Sequence, residues 1–167
     1  QFNKIIDGND AVAQNAYYHL AESYLKTDKK QQALNAFKKA SEMEFDAKIQ
    51  EDAYLNYAKL SYEIGNPYQS VPEIMNAYLA KYPNTSYKQE INTLLISSYI
   101  TSKNYKEALV LLEKSKSPEN KLAYQKVTFY RGLELYTDGD FKGAYSLFKK
   151  SIAENKDAKF SARATFW

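Results

Sequence analysis

Few side chains in this sequence could do chemistry, and each has a plainer use. The one histidine, His19, stands between Tyr18 and Leu20 in a helical stretch, and there is no cysteine in the 167 residues. A general base needs an orienting partner and a proton within reach. A lone helical His of this kind reads as a surface or groove residue. Without Cys there is no thiolate nucleophile, no disulfide and no Cys-ligated zinc or iron–sulfur cluster, and one His leaves no multi-His site. Asp138-Gly139-Asp140 lacks the alternating oxygen ligands and terminal Glu of a calcium-binding loop, so it reads as a turn with a helix cap. Asp7-Gly8-Asn9-Asp10 reads as a polar loop in the same way. No G-x-S-x-G, Walker loop or Gly-rich phosphate cradle is present. The expectation is a protein that is not an enzyme, with no catalytic residues, no metal and no cofactor.

Basic and aromatic side chains suggest a second chemistry, nucleic-acid binding. Lys+Arg 23 against Asp+Glu 20 gives a net charge of +3, too mild for an electrostatic footprint on phosphate. The pairs Lys29-Lys30, Lys38-Lys39 and Lys149-Lys150 are flanked by acids or lie opposite an apolar stripe, the pattern of a solvated face. Sixteen Tyr and eight Phe could stack on bases, but most fall at helical packing positions. No nucleic-acid partner is expected. No run approaches the roughly 18 apolar residues of a membrane span, so this segment is expected to cross no membrane.

What these residues must be mounted on is helical. Five Gly and four Pro are few for a fold of many tight turns. Ala13, Ala16, Tyr17, Leu20, Ala21 and Tyr24 recur at i, i+3 and i+4, as do Ala33, Leu34, Phe37 and Ala40. Asp28, Asn104, Asp140 and Ser117 offer N-caps. Asn66-Pro67 and Pro83-Asn84 mark turns. Pro72 falls about a turn into a second helix, which must therefore start late or bend.

The helices repeat. Ala33, Ser70, Ala108 and Ala144 are spaced by 37, 38 and 36 residues. Phe37, Ile74, Leu112 and Phe148 follow them by four, then Ala40, Ala77, Ser115 and Ser151. Ala21, Ala58, Ile96 and Gly132 precede them by twelve. Two helices approach closely only where one offers a small side chain to the other's bulky one. One pair cannot cover its own apolar face, so pairs must stack. The expected layout is a partial repeat at 1–9, repeats at about 10–46, 47–84, 85–118 and 119–156, and a partial repeat at 157–167. Both ends read as cut, as in an internal segment of a longer protein.

Tyr17-x-x-Leu20-Ala21-x-x-Tyr24 followed by Ala33-x-x-x-Phe37-x-x-Ala40 resembles the tetratricopeptide repeat (TPR). Gly132, Asp138-Gly139-Asp140-Phe141, Ala144 and Phe148 look like the same motif. The resemblance covers about residues 14–156 and implies an all-α, right-handed solenoid of stacked antiparallel helix pairs. Unit four departs from it, because Thr128 and Arg131 fill the columns of Tyr17 and Leu20. Either that helix is rotated to pack Tyr130 and Leu133, or Arg131 is tucked under with a carboxylate. The linker Tyr82-Pro83-Asn84-Thr85-Ser86-Tyr87 resembles those of bacterial envelope TPR proteins of the outer-membrane assembly lipoprotein and Tol–Pal coordinator type. That likeness favours the periplasm or cell envelope.

In TPR arrays the first helix of each pair lines a concave groove that binds peptides or partner proteins. The resemblance carries this role to Tyr18, Glu22 and Lys26 in unit one and Leu55, Lys59 and Tyr62 in unit two. In unit three it falls on Thr93, Ser97 and Ile100, and in unit four on Phe129, Leu133 and Tyr136. Tyr18 and Glu22 replace the basic and amide groups with which some TPR domains clamp a chaperone's carboxyl terminus, so that partner is disfavoured. The leading expectation is a non-catalytic scaffold for a protein or peptide. The alternative is the sensor or regulatory arm of a multidomain enzyme or transcriptional regulator. A third reading is self-association through Phe2, Ile5, Ile6, Phe166 and Trp167.

Overall fold

The computed structural model describes residues 8–115 and 117–167, and among them every regular element is a helix. In chain order these are α1 Ala11–Lys26, α2 Lys30–Glu42, α3 Ala47–Ile64, α4 Val71–Lys81, α5 Lys88–Thr101, α6 Tyr105–Lys114, a 3-10 turn Pro118–Asn120, α7 Lys121–Thr137, α8 Phe141–Glu154 and α9 Ala158–Phe166. They form two compact units, larger than the single repeats and called here unit 1, running up to Leu94, and unit 2, Leu95–Trp167, so the division falls inside α5. Within each unit, helices adjacent in sequence pack as neighbouring antiparallel pairs, a TPR-type all-α architecture. Phe2, Ile5 and Ile6 lie outside the described residues.

Three pairs are closed by one device. α1 and α2, α5 and α6, and α7 and α8 are each joined by three residues, with Asp28, Lys103 and Gly139 at φ 55°, 61° and 84°. In each turn the last residue's N–H reaches back five positions. Lys29 N donates to Tyr24 O at 2.8 Å, Asn104 N to Tyr99 O at 2.8 Å and Asp140 N to Leu135 O at 2.9 Å. These bonds satisfy carbonyls that a helix end leaves free. Only Gly139 takes the left-handed conformation without a Cβ penalty.

The second pair is built differently. Six residues, 65–70, separate α3 from α4, and Ser70 is exposed rather than packed. Ser70 Oγ accepts from Glu73 N at 3.4 Å while Glu73 Oε2 accepts from Ser70 N at 3.1 Å, a reciprocal capping box. Pro72 sits in the first turn, where its missing N–H costs nothing, so the helix starts late and does not bend there. The position matching Ala33, Ala108 and Ala144, fourth in its helix, is therefore Ile74, and Tyr78 matches Phe37. Ser70 and Ala77, expected at small packing positions, are both exposed. A loop three residues longer, after a helix that runs one residue further past Ala58 than α1 runs past Ala21, has displaced the register by four.

Elsewhere the small residues are where the spacing put them. Ala21, Ala33, Ala40, Ala58 and Ala108 are fully buried, with Ala144 and Ile96 nearly so. At Gly132 an added Cβ would come within 2.8 Å of a Phe148 ring carbon. Tyr130 and Leu133 pack against the cluster of Phe129, Ala144, Phe148 and Ala164. Arg131 is largely covered and donates to Glu134 Oε2 at 2.8 Å on its own helix, and Thr128, Gln125 and Gly132 are buried, so α7 keeps the register of α1 with Arg131 paired to a carboxylate, and it is not rotated.

Two buried glutamines, which the repeat pattern had not singled out, join each pair to the helix that follows. Gln14 Nε2 donates to Ala40 O, Met43 O and Asp46 O at 3.2, 2.7 and 3.2 Å, and its Oε1 accepts from Asp46 N at 2.7 Å. Gln125 Nε2 donates to Asp157 O and Ser161 Oγ, both at 3.0 Å, and its Oε1 accepts from Lys156 N and Asp157 N at 3.0 and 2.8 Å. Asp46 and Asp157 then cap α3 and α9. Each amide holds the backbone corner where a new pair begins, in a place water does not reach.

Candidate protein-recognition surface

In unit 1 the first helices α1 and α3 are tied to each other by polar side chains. Tyr18, halfway along α1, lays its ring edge-on against Phe37 with centroids 5.8 Å apart, and its hydroxyl donates a short hydrogen bond to Asp52 of α3. Asn56 Nδ2 donates to the same carboxylate at 3.1 Å. Burial pushes the Tyr18 hydroxyl's pKa up, and its bond to the Asp52 carboxylate raises it further. This tyrosine is a neutral donor across the physiological range and a fixed part of the wall, not an acid or base. Further along, Lys59 of α3 reaches Glu90 of α5 at 2.5 Å, within the same unit.

Toward the solvent on α1, His19 Nδ1 pairs with Glu22 Oε2 at 2.8 Å one turn away, and both are substantially exposed. Lys26 is exposed at the end of the helix. On α3 the exposed member is Tyr62, and Thr93 is the exposed one on α5, its hydroxyl donating to Gln89 O at 3.0 Å. Glu22, Lys26, Lys59, Tyr62 and Thr93 thus have surface to offer, while Tyr18 is half-buried.

Leu55 has almost no surface, at 3% exposure. The reason is its helix's position: α3 packs on α1, α2 and α4, so its buried residues run from Gln50 to Ser61 around more than one face. In unit 2 Phe129 is corrected in the same way, with 0% exposure. Its ring centroid lies 5.5 Å from that of Phe160 and 6.0 Å from that of Phe148, and the Arg163 guanidinium stands 4.7 Å from it. α9 packs across α7 and α8 and closes that side. Leu55 and Phe129 are core residues, not groove residues.

The other unit 2 positions are mixed. Ser97 and Ile100 are half-buried, and Ile100 packs on the cluster of Ile96, Ala108, Leu112 and Val127. Leu133 packs against the cluster of Phe129, Ala144, Phe148 and Ala164. Tyr136 is exposed and makes edge contacts with Phe141 and Trp167, centroids 5.2 and 5.3 Å apart. Asp52, Asn56 and Glu90, which brace the first helices, were missed from sequence. Asp52 lies one turn before Leu55, and an acid one turn from the expected stripe was the signal for it.

Among the described residues no group of three or more His, Cys, Asp or Glu could hold a metal ion, and no helix is long and apolar enough to cross a membrane. Asp138-Gly139-Asp140 is a turn, with Asp140 Oδ1 accepting from Gly143 N at 2.9 Å. What the surface offers is side-chain variety on a rigid helical frame: carboxylates, ammonium groups and tyrosine rings.

No protein-family model matches this chain, and no curated protein matches it significantly. Solved structures do. MamA AMB-1 in crystal form P212121 is 22% identical with a TM-score of 0.54, over 92% of this chain and 81% of that one. MamA MSR-1 in form C2 is 21% identical with a TM-score of 0.52, over 92% and 85%. MamA AMB-1 in form C2221 gives 23% and 0.51, over 90% and 86%. At such identities the likeness is one of fold, and it supports the TPR-type arrangement of helix pairs.

Proposed function

We propose that this chain is a non-catalytic scaffold that binds a protein or peptide along the exposed edges of its first helices. The observation that carries the reading is in unit 1. Glu22, Lys26, Lys59, Tyr62 and Thr93 keep solvent-facing surface on helices braced by the Tyr18–Asp52 and Lys59–Glu90 links. Rings and charges held on fixed backbone bury area at low entropic cost, as recognition surfaces require. Helix-pair repeats in general use such extended surfaces for binding. In unit 2 the corresponding contribution comes from Tyr136, with Ser97, Ile100 and Leu133 as partly covered neighbours. The Tyr82–Tyr87 linker supports placing the chain among bacterial envelope repeat proteins, with the periplasm or cell envelope as its compartment.

The test is affinity capture from the native cell with the wild-type chain and with a Lys26→Glu/Tyr62→Ala/Thr93→Lys variant. All three positions are exposed, so the fold should be kept, which circular dichroism checks. The expected result is loss of the specifically captured protein. Equal recovery would remove this surface from the function.

A further inference from the structure

The carboxylate that braces α1 against α3 in unit 1 is only half used. Asp52 is half-buried. Tyr18 and Asn56 both donate to its Oδ2, so Oδ1 has no donor among the described residues. Both donors are neutral, and no ion pair among the described residues includes Asp52. Lys59, two turns along α3, is committed to Glu90, and Lys48, one turn before Asp52, is exposed and does not pair with it. Glu22 stands one turn past Tyr18 on α1. Its Oε2 faces His19 Nδ1 at 2.8 Å, which leaves Oε1 without a described partner. Burial comes first in raising the pKa of the Tyr18 hydroxyl, and Asp52, then Glu22 and the exposed Tyr87, add to it. These groups therefore gather about one point on the first-helix edge.

A half-covered carboxylate held by neutral donors keeps its negative charge while losing part of its water. A cationic donor completes it. Charge-assisted hydrogen bonds are roughly twice as strong as neutral ones, and tyrosine rings attract a cation over their faces. The bonds from Tyr18 and Asn56 fix the carboxylate before any partner arrives, which leaves little ordering cost on this side. We propose that this point receives a lysine or arginine side chain from a peptide segment of a protein partner, its cation donating to Asp52 Oδ1 with Glu22 and Tyr87 beside it. The proposal rests on the reading of the first-helix edge as the recognition surface, and names the chemistry of what binds there. Lys26 and Tyr62, about two and three turns further along α1 and α3, meet the rest of the segment.

A library of random short peptides is selected on the 167-residue chain, and the best binder is synthesised. The expected result is enrichment of Lys or Arg over the unselected library, with binding that weakens as salt rises. Asp52→Asn keeps an oxygen that accepts from Tyr18 and removes the charge. It should weaken the selected peptide about tenfold, as should norleucine in place of the peptide's basic residue. The two changes together should cost little more than either alone, the mark of a direct pair. If circular dichroism shows that Asp52→Asn disturbs the fold, the same cycle is run with Glu22→Gln, with an expected loss of about twofold. Binders without basic enrichment, or losses that multiply in the cycle, overturn the proposal. If such binders are still lost on the Lys26→Glu/Tyr62→Ala/Thr93→Lys variant, the surface reading stands and only its chemistry falls. If no peptide binds this edge, both fall.

Discussion

The first helix pair with α3, and the last pair with α9, are two readings of one template. Gln14 and Gln125 occupy the same column, and each grips the backbone thirty-two residues on, at Asp46 and Asp157. The capping aspartates, the three-residue turns and the small residues coincide. Their outer surfaces do not. Leu34 is fully buried and Tyr145 is 64% exposed; Leu55 is buried and Phe166 is bare. The internal wiring of a repeat is thus set by hydrogen bonds and close approaches that tolerate little change. Its outer columns are set by what each copy packs against, and there the same position can be core in one unit and surface in the other.

The sharpest way to break the comparison is at its shared feature. Gln14→Ala and Gln125→Ala each strand several buried backbone groups, and each should cost about 2–4 kcal/mol by urea denaturation. The two losses should be similar. Next in size is close packing. Gly132→Ala drives a Cβ into the Phe148 ring, and Ala108→Leu wedges α5 from α6, at about 1–3 kcal/mol each. Ser70→Leu, at the position first aligned with Ala108, should cost only the loss of its cap, about 1 kcal/mol. A penalty as large as that of Ala108→Leu would restore the undisplaced register.

The smallest effect concerns Tyr82, whose hydroxyl is buried without a hydrogen-bond partner and whose pKa burial pushes up to about 12. In the unfolded chain this group ionises near pH 10. Its contribution to stability is therefore complete below about pH 10 and is lost as pH rises toward 12, because the unfolded state releases its proton first. Tyr82→Phe should leave neutral-pH stability equal or higher by about 1 kcal/mol and soften the alkaline decline, as read by denaturation at a series of pH values with tyrosinate absorbance.

The sequence made the helices and most of the small-to-large packing legible, because Ala33, Ala108, Ala144 and Gly132 impose a steric condition that depends on residue type alone. It misplaced the second pair because Ser70 can serve as a small packing residue or as an N-cap, and only the length of the 65–70 loop decides which. Leu55 and Phe129 were mistaken for surface because helical spacing gives the face of a helix and not the number of neighbours around it. The glutamine braces escaped notice because one polar residue in an apolar column looks like a tolerated exception. Gln14 and Gln125 each stand seven positions before an anchor, Ala21 and Gly132, and that coincidence was available to be seen.

The central claim is that partners are engaged by the first-helix edge in unit 1. Site-specific photocrosslinking in the native cell tests it most directly, with the photoreactive residue placed at Lys26, Tyr62 or Thr93 and, for contrast, at Lys39 on the exposed side of α2. The account predicts a discrete protein adduct from the first three positions and none from Lys39. Adducts from Lys39 alone, or from none of the four, would contradict it.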